Sequence, residues 1–166
     1  MPIPPFIVAL RERIGTDPLW LPGITAVVLR DRADAPGSLE VLLVKRSDNG
    51  AWTPVTGIID PAEDAHVAAL REVEEEACVV AEIERLVWVR ATSEVTHVNG
   101  DRAAYLDHTF RCRWVSGEPR PGDDESTEAS WFPLDGLPEM SATFRDRIAV
   151  AVENPADVAL GPHPSD

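Results

Sequence analysis

Apolar runs of strand length alternate along this chain with polar, Pro- and Gly-containing breaks. ITAVVL (24–29) and LEVLLV (39–44) are two such runs, and the connection between them contains Pro36-Gly37. Both predict buried strands, because a continuous apolar run leaves no face for water. Ahead of them, residues 5–14 predict a short amphipathic helix closed by Gly15, and Asp17-Pro18 and Pro22-Gly23 punctuate the chain between that helix and the first run. The period changes over 64–77. Val67, Leu70, Val73 and Ala77 recur at three- and four-residue spacing and predict a helix. Strands are predicted at 79–92 and 104–114, separated by a turn at Asn99-Gly100. A loop over 115–128 leads to a short strand, SWFPL (130–134). Residues 141–153 predict a closing helix with Phe144, Ile148 and Val152 on one face. The tail, 154–166, has three prolines and no periodicity, so disorder is expected there. No internal repeat is visible.

Composition narrows the class. At 166 residues with 44% hydrophobic and 27% charged, the chain suits one globular domain with small appendages. Its net charge is −14, and the acid is concentrated. Residues 57–79 sum to −6, residues 121–140 to −6 and the tail 151–166 to −3. Such a balance argues against a nucleic-acid partner, which needs a basic face, and against docking on anionic lipid. Cys78 and Cys112 both sit among apolar residues and are expected to be free thiols. The opening MPIPPFIVAL has no basic n-region and no membrane-length run, so a cytoplasmic protein is expected.

The acid at 72–76 is physically odd. Glu72 repels Glu75 and Glu76 across one helix face at i,i+3 and i,i+4. Glu74 is rotated away. All four acids crowd the last turns, where the macrodipole favours cations. A solvated acidic face and a divalent-cation site both fit this much. Carboxylates of this kind suit Mg²⁺ or Mn²⁺, with remaining ligands taken from water and substrate phosphates.

The whole segment GIIDPAEDAHVAALREVEEEACV resembles the 23-residue signature of the Nudix family. That signature runs Gly, five residues, Glu, seven residues, Arg-Glu, an aliphatic, any residue, Glu-Glu, any residue, Gly, an aliphatic. It falls on Gly57, Glu63, Arg71, Glu72, Val73, Glu75, Glu76 and Val79, and only the second Gly fails, at Cys78. WTPVTGIIDPAE is similar to the family's usual approach to the box, with Thr56 and Ala62 where Gly is common.

The resemblance implies an α/β/α sandwich around a mixed β-sheet, with an extra N-terminal helix. It implies an N-terminal extension over 1–22, a Nudix domain over 23–153 and the tail beyond. Glu72, Glu75, Glu76 and the Gly57 carbonyl become the expected ligands of Mg²⁺, with Mn²⁺ as substitute. Glu63 and Arg71 are expected to tie the loop to the helix. Cys78 stands where a left-handed residue ends the helix, and should be strained by roughly 1 kcal/mol. Several family members place a catalytic or metal-binding Glu in the corresponding loop, so Glu125, six residues ahead of Trp131, is the candidate general base or extra metal ligand, with Glu128 and Asp124 next.

Lys45 and Arg46 are candidates to meet phosphates. Trp52, Tyr105 and Phe132 are candidates to stack on a base, against a core role for each. His97 and His108 are expected to be structural. The implied activity is Mg²⁺-dependent hydrolysis of a nucleoside diphosphate linked to another moiety: ADP-ribose, a dinucleotide or an oxidised nucleoside triphosphate. The alternative is a Nudix domain that binds or senses nucleotides without turnover. The apolar face of the N-terminal helix makes a homodimer plausible.

Overall fold

A computed structural model describes residues 3–162. Its elements are α1 (Pro5–Ile14), β1 (Leu19–Asp31), β2 (Leu39–Arg46), β3 (Trp52–Thr53), β4 (Val55–Ile58) and α2 (Ala65–Ala77). Then come β5 (Val80–Ala91), β6 (Val95–Thr96), β7 (Arg102–Ser116), β8 (Ser126–Pro133), α3 (Ala142–Glu153) and β9 (Ala159–Leu160). The strands form one mixed sheet, parallel between β1 and β7 and between β5 and β9, antiparallel elsewhere. No helix among the described residues is long and apolar enough to cross a membrane.

The centre is β1, whose residues Gly23–Leu29 are all buried. Its two faces feed different layers. Ile24, Ala26 and Val28 pack with α2 through Ala68, Ala69, Val73 and Ala77. Val27 and Leu29 pack with α3 through Ile148, Val150 and Ala151. Helix α1 covers the start of the second face, with Ile7 on Leu21 and Ala103. This is the expected α/β/α sandwich, with α2 alone on one side.

The sheet opens at one irregularity. β1 and β2 pair from Leu29↔Val41 to Asp31↔Leu39 and then diverge. β3 fills the opening against β2 and β4 fills it against β1, with Ile24 opposite Gly57. The chain leaving β4 is thereby delivered to the middle of the sheet, beneath α2.

Three boundaries differ from the sequence reading. The first strand begins at Leu19, running through Pro22-Gly23, and α1 packs on the sheet. Pro22 is tolerated because its missing N–H falls at the end of the β4 ladder, where its carbonyl accepts the Ile59 amide (3.2 Å). The tail is held as far as Gly161: Arg85 donates to the Pro155 and Ala156 carbonyls, and Trp88 Nε1 donates to that of Gly161 (2.8 Å). Its last four residues lie outside the described range. The strand predicted at 130–134 starts at Ser126, paired along β2.

The face of α2 also differs. Val67 is exposed, and the buried side is Ala68, Ala69, Glu72, Val73, Glu76 and Ala77. The helix turns two glutamates inward and leaves a valine out.

Candidate active site

The segment 57–79 forms a loop, a helix and a reversed end. Gly57 lies directly under the Glu72 carboxyl, so that a Cβ there would overlap the carboxyl atoms. The loop closes on itself at Asp60–Glu63, where the Glu63 amide donates to the Asp60 carbonyl (3.0 Å) and Glu63 Oε2 accepts from the Asp60 amide (3.1 Å). Ala62 (φ 67°) and Cys78 (φ 56°) both have left-handed backbones. These are two of the positions where the family commonly has Gly. The torsion is retained here without the residue that adopts it freely.

Arg71 ties the loop to the helix. Its Nε and one terminal nitrogen donate to the two Glu63 oxygens at 2.8 and 2.9 Å. The other terminal nitrogen reaches Glu72 at 2.9 Å and Glu75 at 3.2 Å, while the one paired with Glu63 also donates to the Ile58 carbonyl (3.3 Å). This bidentate, planar recognition is specific to a guanidinium. Burial disfavours the Arg71 charge, but its carboxylate partners outweigh that and raise its pKa.

Glu72 and Glu76 are 3% and 6% exposed, whereas the Glu75 side chain is 42% exposed. Desolvation is the main reason Glu72 is pushed up to about 7, against the opposing pull of Arg71. Desolvation likewise pushes Glu76 to about 9, and the charges of Glu72, Glu125 and Asp123 add to it. Carboxylates are thus gathered where each resists the ionisation of the next.

Glu125 comes to this cluster from the loop after β7. Its carbonyl accepts from the Ser47 amide (2.7 Å), and its amide donates to the Asp123 side chain (3.0 Å). Arg46 lies close by. It is paired with Asp48 and further favoured in its charged form by Glu76 and Glu125. Asp123 was not singled out from the sequence. The acidic run 123–125 was the available signal, but only the folded loop shows that Asp123 joins Glu125 in facing Glu76.

Other candidates do not join them. Lys45 is bonded to Glu128 (2.7 Å) and lies over Trp52, while Trp52 packs edge-on against Phe132. Trp52 and Phe132 belong to the α3-side core, on the opposite face of the sheet from α2. Lys45 and Trp52 thus contact each other, Glu128 and Phe132 rather than the carboxylates of α2. Tyr105 packs with the α1 cluster and shares a hydrogen bond with His97 (2.9 Å). His108 Nδ1 meets the Gly23 carbonyl (3.1 Å). Both histidines serve structure here.

Among the described residues, no three His, Cys, Asp or Glu side chains already converge as they would around an ion. The donor chemistry nevertheless fits one. Buried oxygens with heightened proton affinity, in a field made by other carboxylates, are what a hard divalent cation neutralises.

A mixed sheet between helical layers, with a Glu-rich loop–helix–loop over its centre, defines a class. A NUDIX domain model matches residues 20–152, and the chain belongs to that family. Nudix hydrolases generally use divalent metal ions. A MutT-like protein of Streptomyces ambofaciens is 29% identical over 153 residues, covering 92% of this chain and 86% of that protein. The NAD-capped RNA hydrolase NudC of Pseudomonas aeruginosa (strain LESB58) is 32% identical over 118 residues, 70% of this chain. The chain spans only 38% of that relative's length. A solved ADP-ribose pyrophosphatase from Streptococcus suis superposes with a TM-score of 0.60 at 23% identity, over 85% of this chain and 97% of that one. That likeness is one of fold.

Proposed function

We propose that this protein is a Mg²⁺-dependent pyrophosphohydrolase acting on a nucleoside diphosphate linked to another moiety. The observation that carries the reading is the inward turn of α2. Two like-charged carboxylates occupy the buried face while Val67 stays in water. Burying carboxylate charge costs several kcal/mol, which the Arg71 contact to Glu72 offsets only in part, and a fold under selection for stability alone would reverse the choice.

Glu72, Glu75 and Glu76, with the Gly57 carbonyl, would hold the metal, and Mn²⁺ is expected to substitute. Bound there, it supplies charge neutralisation at the diphosphate and a lower pKa for the attacking water. Arg71 and Glu63 keep the ligand carboxylates aimed. Glu125 takes the proton from the water as it attacks phosphorus. Arg46 meets the phosphate charge, and the phosphate-bearing product leaves as an anion.

The substrate is a small nucleotide rather than a nucleic acid, because the chain has a net charge of −14 and no basic stretch. ADP-ribose, dinucleotides such as NAD, and oxidised nucleoside triphosphates make up the test panel. The names of the related NudC and of the S. suis enzyme support including NAD and ADP-ribose. With Mg²⁺, at least one compound should be hydrolysed far faster than by Glu75→Gln/Glu76→Gln. Saturable binding without turnover would instead make this a nucleotide-sensing domain.

A further inference from the structure

We infer that Gly122 is a positioning residue: by lacking a side chain it lets the 117–125 loop sit on the end of α2, and so delivers Asp123 and Glu125 to the carboxylate cluster. The inference rests on the proposed catalytic role of Glu125.

The loop, GEPRPGDDE, contains no Val, Leu, Ile, Met or aromatic residue, so apolar burial does not anchor it. It is seated by main-chain bonds. The Arg120 amide donates to the Ala77 carbonyl and the Gly122 amide to that of Glu76, both at 3.1 Å. These are orphan carbonyls at a helix C-terminus. Pro119 and Pro121 carry no N–H, so over 119–122 the main-chain donors are those of Arg120 and Gly122. At the far end, the Ser47 amide holds the Glu125 carbonyl.

Contact at Gly122 is closer than any side chain allows. A Cβ there would be driven into the carbonyl oxygen of Glu75, and would lie 2.9 Å from Cys78 Sγ. The obstacle is helix backbone, which cannot swing aside. The backbone of Gly122 is not left-handed, so it is closeness rather than torsion that excludes a side chain. Any larger residue must lift the loop, and the loop carries both acids.

The test is a cycle of Gly122→Ala, Glu125→Gln and the double variant, assayed with whichever panel nucleotide is turned over fastest. Gly122→Ala should lower kcat about a hundredfold or more with KM little changed, the scale of a lost general base. Adding Glu125→Gln to it should cost less than about a further twofold, because an unseated base has nothing left to lose. Amide exchange at Arg120 should also quicken about tenfold in Gly122→Ala. If that variant does not fold, Ser47→Pro, which removes the donor to Glu125, should give the same coupling. A kcat for Gly122→Ala within about twofold of the parent, losses that multiply, or unchanged exchange at Arg120 would each overturn the inference. Full activity in Glu125→Gln alone is a different pattern. It would sink the proposed base and, with it, the purpose of seating the loop.

Discussion

Ala62 and Cys78 hold left-handed torsions that cost a side-chain-bearing residue roughly 1 kcal/mol. Ala62 is exposed, so its methyl group contributes little packing in return. Ala62→Gly should therefore raise stability by up to about 1 kcal/mol, a thermal midpoint gain of roughly 2–4 °C at this chain length. Cys78→Gly should gain less, because the half-buried thiol also packs against Gly122. An unchanged midpoint in Ala62→Gly would show that the loop relieves the torsion elsewhere. At this scale the box was highly legible, since each charged position has a fixed spacing that a backbone must satisfy. Lys45 and Trp52 were not legible. Their place depends on which face of β2 and β3 turns toward α2, and that is set by register with strands far along the chain.

In α2 the competition is between apolar burial and charge. The spacing of Val67, Leu70, Val73 and Ala77 marks a stripe, but the helix is rotated so that Glu72 and Glu76 lie inside and Val67 outside. Periodicity cannot reveal this, because alanines on the buried side (Ala68, Ala69) weigh little in a hydrophobic stripe yet allow the helix to approach closely. The rotation has a signed consequence. Folding raises both carboxyl pKa values above the ordinary 4.5, to about 7 and about 9. The folded protein then binds protons more tightly than the unfolded chain. Without divalent metal, this contribution is fully present below about pH 4.5 and is lost as pH rises through 7 and 9. The loss is on the order of 1 kcal/mol per pH unit for each proton released. Metal-free protein should show a falling midpoint from pH 6 to pH 9 in calorimetry with chelator, scanned at roughly one-unit steps. Glu76→Gln should flatten that fall and abolish turnover. A midpoint rising with pH in the metal-free parent would contradict the buried state of these groups.

Across the whole molecule, two charge systems do opposite work. On the α3 side, Arg147 reaches from its helix to Thr25 Oγ1 (2.7 Å) and Asp107 (3.4 Å), and Thr25 and Thr109 each donate to Asp107 at 2.8 Å. All four residues are buried. Arg147→Met leaves Asp107 buried without its cation and should cost about 3–5 kcal/mol in denaturant unfolding. The double change with Asp107→Asn should cost less than the single one.

On the α2 side the partners within the fold fall short: Glu72 stays pushed up to about 7 although Arg71 is paired with it. Much of the net −14 lies in the segments that meet there, and Arg46 and Arg71 offset only part of it. A specific site and general screening separate at fixed ionic strength. Diffuse repulsion responds to Na⁺ and Mg²⁺ through screening alone, over about 10 Å at 0.1 M. A built site adds mass-action stabilisation, about 2.7 kcal/mol at a hundredfold excess over Kd. At pH 8 and constant ionic strength, Mg²⁺ should raise the thermal midpoint well above the Na⁺ value. In Glu72→Gln/Glu76→Gln the two salts should converge, while Arg147→Met should keep the full difference, because its lesion lies across the sheet. If the glutamine pair retained the Mg²⁺ gain, the acidity of α2 would be only a solvated face.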